Sequence, residues 1–247
     1  MDPERVIVVI PTYNEAESLG EIITRTLRTS DDLAVLVVDD ASPDRTGEIA
    51  DKLAEGEPRL EVLHRPGKGG LGPAYIAGLR WGLERGFDRL VEMDADLSHD
   101  PAVIPDLVEA AQGSALVIGS RYVPGGRVQG WSWGRHILSR AGNLYARVLL
   151  GFPIRDSTSG FRCFRREVLE AIALERIRSD GYAFQVEAAY RAWRMGFRLR
   201  EIPITFVARR SGASKLSRRI VWEALVSVTA WALRDLPGRL RAPRAGR

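Results

Sequence analysis

The chain has 247 residues, of which 45% are hydrophobic and 28% charged, and its formal net charge is +4. This composition is typical of a globular protein with a full hydrophobic core, and it excludes a disordered or collagen-like chain. The single cysteine, Cys163, excludes an internal disulfide, and its position in F-R-C-F-R, a predicted buried strand, indicates a small thiol in the core. No run reaches the ~18 to 20 apolar residues that a membrane-spanning helix needs.

In the first half of the sequence, short apolar runs alternate with helical patterns. Continuous apolar runs of this length are typical of parallel strands covered on both faces. Repeated β-α-β units predict right-handed crossovers and an open α/β sheet. The predicted elements are a strand at residues 6–10, a helix at 16–28, a strand at 34–38, a helix at 46–54, a strand at 60–63, a helix at 70–83, a strand at 90–93, a helix at 101–111 and a strand at 116–119.

After Arg121 this alternation ends. Beyond it we predict helices at residues 136–150, 184–195 and 220–233, a strand in F-R-C-F-R around Cys163, and strand material at 199–207 that Pro203 interrupts. The tail from Arg234 holds five Arg and one Asp. A solvated tail and a contact with an anionic partner explain this charge equally well.

Polar segments follow four of the predicted strands at their carboxyl ends. They are P-T-Y-N-E at residues 11–15, D-D-A-S-P-D at 39–44, D-A-D at 94–96 and S-R-Y at 120–122. In open α/β sheets, ligands bind beyond this edge. The sequence therefore predicts one site formed by these segments.

Asp94 and Asp96 are two residues apart at a strand end, so their carboxylates point the same way in extended backbone. A divalent cation relieves their repulsion, and Mg²⁺ or Mn²⁺ often takes one or two carboxylates together with substrate phosphates. The alternative is capping of the helix that starts at Pro101 by Ser98 or Asp100. Capping accounts for Asp100 but not for Asp94.

Two further carboxylates, Asp39 and Asp40, end the second strand. One of such a pair can accept hydrogen bonds from a base, and the other can position a ribose or a metal. A turn built from Ser42 and Asp44 is an alternative that can hold at the same time.

The segment after the first strand has two readings. Thr12 and Glu15 have the spacing of a capping box, which leaves Tyr13 unexplained, and an aromatic ring there can flank a nucleobase. The segment lacks the glycine patterns of dinucleotide-binding and P-loop proteins, which argues against NAD and ordinary NTPase chemistry.

A glycine-rich loop around Lys68 opens the third predicted helix, with Gly67, Gly69, Gly70 and Gly72. Loops of this kind approach phosphates closely, although turn formation explains the glycines nearly as well.

Together these motifs resemble the polyprenol (dolichol) phosphate mannose synthases, which are inverting family-two glycosyltransferases. The similarity runs from Val6 to Lys215. The matching segments are I-P-T-Y-N-E, V-V-D-D-A-S-P-D-R-T, G-L-G-P-A-Y-I-A-G, M-D-A-D-L-S-H-D-P, G-S-R-Y, D-S-T-S-G-F-R, Y-A-F-Q-V-E and R-x-x-G-x-S-K.

The resemblance implies a glycosyltransferase-A (Rossmann-like) α/β fold, with an open, mostly parallel sheet, helices on both faces and C-terminal amphipathic interface helices. We expect a catalytic domain at residues 1–215 and a membrane-proximal helix with a basic tail at 216–247.

The resemblance also implies a reaction. Mannose passes from GDP-mannose to a polyprenyl (dolichyl) phosphate with inversion, giving polyprenyl phosphate mannose and GDP, with Mg²⁺ or Mn²⁺ as cofactor. A phosphate monoester is mostly ionised at neutral pH, so no general base is expected. The nearest alternative is a polyprenyl phosphate glucosyl- or aminosugar-transferase that uses a UDP-sugar. A nucleic-acid-binding module and a non-catalytic membrane scaffold are disfavoured, because no nucleic-acid motif is present and the carboxylate and arginine motifs are intact.

By resemblance, residues receive roles in four groups. The catalytic group is Asp94, Asp96, Arg121 and Arg135, and the acceptor phosphate is held by Arg121, Arg135 and Ser139. The nucleotide-sugar group is Pro11, Tyr13, Asn14, Glu15, Asp39, Asp40, Lys68, Gly69, Asp94, Gln185, Glu187, Arg209 and Lys215. The metal group is Asp94 and Asp96, with Ser98 where some relatives carry Gln.

The expected partners are GDP-mannose, the polyprenyl phosphate lipid and the membrane surface, without nucleic acid; a membrane-protein partner is left open. We expect a cytoplasmic protein bound peripherally to the cytoplasmic face, because the sequence starts with a strand and not with a signal peptide. Residues 136–152 and 220–233 are the segments expected to lie in the interface.

Overall fold

This computed structural model describes residues 4–208 and 218–241 of the chain. These residues contain nine strands and eight α-helices. The strands are β1 (Val6–Thr12), β2 (Leu33–Asp39), β3 (Leu60–His64), β4 (Arg89–Glu92), β5 (Leu116–Ser120), β6 (Arg127–Gln129), β7 (Arg162–Arg165), β8 (Leu199–Pro203) and β9 (Thr205–Val207). The helices are α1 (Leu19–Leu27), α2 (Thr46–Ala54), α3 (Leu71–Glu84), α4 (Ile104–Ala110), α5 (Trp133–Leu150), α6 (Arg166–Ala171), α7 (Gly181–Arg194) and α8 (Arg218–Arg241).

Seven strands form one sheet in the order β3-β2-β1-β4-β7-β5-β8. Strands β1 to β4 pair in parallel, and β5 pairs in parallel with β8. Strand β7 is the exception, since it runs antiparallel between β4 and β5. A separate parallel pair joins β6 to β9. The mostly parallel sheet predicted from the sequence is confirmed.

The sheet is covered on both faces, as its continuous apolar strands predict. In β1, Ile7 and Val9 face a core with α3, α5, α7 and α8, whereas Val8 and Ile10 face a core with α1, α2 and α4. All four side chains are fully buried. Each such burial contributes roughly 1.5–3 kcal/mol, which explains why a sequence of this pattern forms the sheet.

Most element boundaries agree with the sequence within a few residues. Helix α2 begins and ends where predicted. Helix α1 begins later than predicted, at Leu19, because the preceding residues form a loop. The helix predicted at 101–111 is a 3₁₀ turn, Pro101–Val103, followed by α4. Cys163 is buried in β7, and burial raises the pKa of its thiol to about 12.

Helix α8 packs on the rest of the protein through one face. Val228 and Ala232 are buried there, and the hydroxyls of Tyr145 on α5 and Thr229 lie 2.6 Å apart. The opposite face leaves Trp222 exposed. No helix within the described residues is long and apolar enough to cross a membrane.

Candidate active site

A polar cleft of about 360 Å³ opens at the carboxyl ends of β1, β2 and β4. Its walls therefore come from the segments that the sequence singled out, with additions from α3 and α7. They are formed by Pro11, Thr12, Tyr13, Glu15, Asp40, Lys68, Gly70, Leu71, Ala74, Asp94, Ala95, Asp96, Thr158, Gly160, Asp180, Gly181, Tyr182 and Gln185.

Both carboxylates of the D-A-D segment are held by neighbouring donors. The hydroxyl of Tyr75 donates to Oδ1 of Asp94 at 3.0 Å, and the backbone N–H of Ser98 donates to Oδ1 of Asp96 at 3.0 Å. The backbone N–H of Asp94 lies 3.4 Å from Nδ1 of His99. The two acids are thereby oriented before any ligand binds.

Tyr75 and His99 are site residues that the sequence reasoning missed. Tyr75 stacks on Phe184, and burial, with the charge of Asp94, raises the pKa of its phenol well above the usual value. His99 stacks on Phe161, and burial lowers the pKa of its imidazole. A buried neutral His with Nδ1 as acceptor suits this contact. In the sequence both look like ordinary core aromatics.

The donor set fits a divalent cation. Asp94 and Asp96 line the same cleft, and Gly160 leaves room there: a Cβ at Gly160 would lie 3.4 and 3.5 Å from the two carboxylate oxygens of Asp94. The described residues contain no group of three His, Cys, Asp or Glu side chains arranged to hold a metal. A pair of carboxylates that leaves the remaining positions to substrate phosphate and water is a common arrangement for Mg²⁺.

Two buried ionisable side chains lie in the sheet next to these acids. Glu92 is opposite Arg162 across the β4–β7 pair, and both side chains are fully buried. Arg162 donates to the backbone oxygens of Ser157, Ser159 and Gln185 at 2.6 to 2.7 Å. Burial lowers its pKa to about 10, which leaves it charged at neutral pH. Arg162 thus fixes the loop before β7 against α7.

The carboxylate of Glu92 is less well satisfied. Neither of its oxygens has a hydrogen bond of standard geometry among the described residues, although the nearby Gln185 amide lowers its pKa. Burial has the larger effect, and with the charge of Asp94 it raises the pKa of Glu92 to about 7.

The loops after β1 and β2 are joined by side-chain hydrogen bonds. Thr12 donates from Oγ1 to Oδ1 of Asp39 at 3.1 Å, and Ser42 donates to the same oxygen at 2.6 Å. Asp44 accepts the backbone N–H groups of Ala16 and Thr46 at 3.1 Å each. Thr12 thus bonds across to β2 and forms no capping box, and the turn predicted from Ser42 and Asp44 is present.

Asp40 and Lys68 both line the cleft, and each contacts a neighbouring loop residue. Asp40 pairs with Arg65 and accepts the backbone N–H of Gly69 at 3.0 Å. The ammonium of Lys68 lies 4.1 Å from the centre of the Tyr13 ring. A cation beside an aromatic ring at a cleft is suited to a nucleoside phosphate.

Strained backbone concentrates at the same edge. Asn14, Ala41 and Leu97 have φ of 60°, 53° and 61° in the loops after β1, β2 and β4. Non-glycine residues with such φ values cost free energy and cluster at functional sites. The loops are therefore held in shapes that local preference does not favour.

The start of α7 supplies two residues that the sequence reasoning missed, Asp180 and Tyr182. Asp180 caps α7 and accepts the backbone N–H of Gly72 at 2.6 Å, which ties α7 to α3. At Gly70, with φ of +102°, a Cβ would lie 2.2 Å from Oδ2 of Asp180. This glycine is required by both conformation and space.

A second cleft, of about 340 Å³ and mainly apolar, lies beside α5 and α8. All three residues predicted to hold the acceptor phosphate are on its wall. It is lined by Arg121, Trp131, Arg135, Leu138, Ser139, Ala141, Gly142, Tyr145, Ala146, Thr158, Tyr182, Val186, Ala224, Leu225 and Val228.

Arg121 reaches this apolar cleft as half of a buried ion pair. Its Nε and Nη2 donate to the two carboxylate oxygens of Asp156 at 2.8 and 2.6 Å, and Nη2 also donates to Oγ1 of Thr158 at 2.9 Å. Burial disfavours the charge of Arg121, but Asp156 outweighs burial, so the pKa of Arg121 is raised. Arg135 has no carboxylate partner among the described residues.

The two clefts meet at Thr158 and Tyr182, which line both. A ligand in the polar cleft and a ligand in the apolar cleft would therefore face each other across these two side chains. Such an arrangement can bring two substrates together for group transfer.

The predicted site residues divide into three sets. On the walls of the clefts are Pro11, Tyr13, Glu15, Asp40, Lys68, Asp94, Asp96, Gln185, Arg121, Arg135 and Ser139. Beside the walls are Asn14, Asp39, Gly69, Ser98 and Glu187. The ligand contacts of both sets stay predictions. Arg209 and Lys215 lie outside the described residues.

Two residues of the second set have other partners. Asp39 is engaged by Thr12 and Ser42, and Glu187 forms an ion pair with Arg191 at 2.6 Å. Both therefore stabilise the loops and helices around the cleft.

Residues 7–173 match Glycosyl transferase family 2. The chain belongs to this family. The glycosyltransferase is 54% identical to the undecaprenyl-phosphate mannosyltransferase of Micrococcus luteus, over 93% of this chain and 94% of the relative. It is 49% identical to the polyprenol monophosphomannose synthase of Mycolicibacterium smegmatis, over 96% of this chain and 91% of the relative.

Among solved structures, a glucosyl-3-phosphoglycerate synthase from Mycobacterium tuberculosis superimposes on this glycosyltransferase with a TM-score of 0.64. The match covers 98% of this chain and 82% of that structure at 23% identity. At this identity the likeness shows the fold, and the predicted glycosyltransferase-A architecture is confirmed.

Proposed function

We propose that this glycosyltransferase transfers mannose from GDP-mannose to a polyprenyl phosphate, with inversion at the sugar carbon and release of GDP. The observation that carries the proposal is the pair of adjoining clefts. One has two oriented carboxylates, and the other is apolar with Arg121 and Arg135 on its wall. An acceptor with an anionic head and an apolar chain suits the second cleft, and the names of the two relatives support the same chemistry.

On the donor side, Tyr13 and Lys68 line the cleft in contact with each other, and they suit a nucleobase and a phosphate. Asp94 and Asp96 would hold Mg²⁺ or Mn²⁺, which offsets the charge that develops on the departing diphosphate. Gln185 is buried on the cleft wall, and neither polar atom of its amide has a hydrogen-bond partner among the described residues. This amide also lies near the buried carboxylate of Glu92, whose pKa it lowers, and its donors and acceptor suit sugar hydroxyls.

On the acceptor side, Arg121 and Arg135 supply the positive charge that a phosphate head requires. Asp156 keeps Arg121 oriented, and Thr158 lies beside it at the junction of the clefts. Because the ionised phosphate is itself the nucleophile, this chain does not have to supply a general base.

We also propose that the protein works on the cytoplasmic face of a membrane, with residues 216–247 as a membrane-proximal element. Exposed apolar side chains recur on α5 at Trp133, Ile137, Leu144 and Val148, and on α8 at Trp222, Val226 and Leu233. Their spacing of four and seven residues puts each set on one helical stripe. Aromatic and aliphatic stripes of this kind suit the membrane interface.

A donor panel tests the proposal. Purified protein is given one short-chain polyprenyl phosphate, Mn²⁺ and, separately, GDP-mannose, UDP-glucose or UDP-N-acetylglucosamine. We expect glycolipid to form with GDP-mannose at a rate well above the other two. Preferential transfer from a UDP-sugar would favour the alternative donor and contradict the proposal.

A further inference from the structure

Trp131 lies in the link between β6 and α5, on the wall of the apolar cleft. Its ring is in edge-to-face contact with Phe206 on β9, at 5.3 Å between centroids, and with His136 on α5, at 5.6 Å. The paired strands β6 and β9 fix the start of this link, where the backbone N–H of Ala208 donates to the oxygen of Gln129 at 2.9 Å. The indole is therefore held in one orientation.

Both cleft arginines lie near this indole. The Cζ atoms of Arg121 and Arg135 are 5.2 and 4.3 Å from the ring centre of Trp131. Cation–π contacts at these distances orient the guanidinium groups. Trp131 thus belongs to the same cluster as the two arginines proposed to hold the acceptor phosphate.

Within residues 4–208 and 218–241, the indole N–H of Trp131 has no hydrogen-bond partner. Nε1 is buried and forms no hydrogen bond among the described residues. Tryptophan has a donor and no acceptor, and a buried donor without an acceptor is destabilising. Buried indole N–H groups usually find a partner, so this one indicates an acceptor atom that is brought by a ligand.

The surrounding groups define the ligand's chemistry. Arginine side chains are donors only, and the hydroxyl of Ser139 already accepts from Tyr122 at 2.7 Å, which leaves its own hydrogen to donate. Near Trp131 the cleft therefore presents donors and positive charge. An anion with several acceptor oxygens fits this set of donors better than a neutral alcohol, which has one oxygen and no charge.

We propose that Trp131 determines acceptor specificity by donating its indole N–H to an oxygen of the acceptor's phosphate. The inference rests on the proposed function, in which a prenyl phosphate occupies the apolar cleft. The ring orients Arg121 and Arg135, and the N–H adds a neutral donor of fixed direction. Replacement by Phe separates these effects, because Phe keeps the ring and removes the N–H.

Steady-state kinetics with farnesyl phosphate as acceptor give the first test. Trp131→Phe is expected to raise the acceptor KM about ten-fold or more, which is the range for a hydrogen bond to a charged group. The KM for GDP-mannose and the melting temperature are expected to stay at wild-type values. Trp81→Phe is the matched control, because Trp81 is half-buried like Trp131, packs on Phe87 and lines neither cleft; its acceptor KM is expected to be unchanged. An unchanged acceptor KM in Trp131→Phe overturns the proposal.

Indole ¹H–¹⁵N resonances of the wild-type protein give the second test. The chain has six tryptophans, and the Trp131 signal is assigned by its loss in Trp131→Phe or by elimination with Phe variants of the other five. On addition of farnesyl phosphate this signal is expected to move downfield, and farnesol at the same concentration is expected to leave it in place. Binding of farnesyl phosphate that moves other signals but not that of Trp131 overturns the inference.

Inorganic phosphate separates the two proposals. In one outcome, farnesyl phosphate moves no signal while inorganic phosphate moves that of Trp131. The proposed lipid acceptor is then wrong, but the hydrogen bond from the Trp131 indole to an anion is supported. If neither ligand moves any indole signal, both proposals are wrong.

Discussion

The hydroxyl of Tyr75 on α3 donates a 3.0 Å hydrogen bond to Oδ1 of Asp94 at the end of β4. Tyr75 is fully buried and stacked on Phe184, with ring centroids 6.0 Å apart. The phenol therefore has one available position and holds the carboxylate in one orientation. This contact joins the hydrophobic core to the acids that we propose as the cation site.

Tyr75→Phe is expected to raise the Mn²⁺ concentration required for half-maximal activity several-fold, with a smaller effect on stability. The reason is that Asp94 loses a donor that orients it, while the aromatic packing remains. The measurement is the transfer rate as a function of Mn²⁺. Tyr190→Phe is the control, since its hydroxyl donates to Asp235 on α8 and not to Asp94 or Asp96. An equal change of metal requirement in both variants would show that the Tyr75 contact is not specific.

Asp96→Asn is expected to lower kcat at least about a hundred-fold, a typical cost for losing one group that stabilises developing charge. EDTA is expected to stop transfer by the wild-type protein, and added Mg²⁺ or Mn²⁺ to restore it. Asp100→Asn is the control on the same loop, because Asp100 caps the turn at Pro101 and pairs with Arg25. Full activity in EDTA would contradict a metal role.

Arg135→Ala is expected to raise the acceptor KM about ten-fold or more, because a charged contact to phosphate typically contributes ~1.5 to 3 kcal/mol. The KM for GDP-mannose is expected to stay unchanged. Arg147→Ala, at the other end of α5, is the control with a short-chain acceptor. A raised KM for GDP-mannose beside an unchanged acceptor KM would place Arg135 in the donor site.

The double variant Val148→Asp and Trp222→Asp is expected to float less with anionic liposomes than the wild-type protein. The two side chains are 68% and 69% exposed on α5 and α8, so charge there opposes insertion without disturbing the core. Transfer to farnesyl phosphate in solution is expected to persist. Met195→Asp, at an exposed apolar residue after α7, is the control. Equal flotation of all three proteins would mean that these stripes do not contact the bilayer.

The sequence predicted the parallel strands because their apolar runs are continuous and end in polar turns. It did not predict that β7 lies between β4 and β5. Strand order depends on contacts between distant segments, such as Glu92 with Arg162, and these leave no periodicity in the sequence. The same holds for α8, whose burial against α5 depends on contacts such as Tyr145 with Thr229.

Within the site, the polar residues after β1, β2 and β4 were identified because charged groups at the ends of buried strands have few other roles. Tyr75, His99 and Trp131 were missed because an aromatic residue in an apolar pattern cannot be distinguished from a core residue. Asp180 was missed because α7 was predicted to begin at residue 184, whereas it begins at Gly181 with Asp180 as its cap.

In the proposed reaction the acceptor is a prenyl phosphate that takes mannose from GDP-mannose. A matched pair of acceptors tests this most directly. Radiolabelled GDP-mannose and Mn²⁺ are incubated with the protein and either a polyprenyl phosphate or the polyprenol of the same chain length, and the label in the extracted lipid is counted. We expect labelled lipid with the phosphate and none above background with the alcohol. Equal labelling of both lipids, or no labelling of the phosphate, would contradict it.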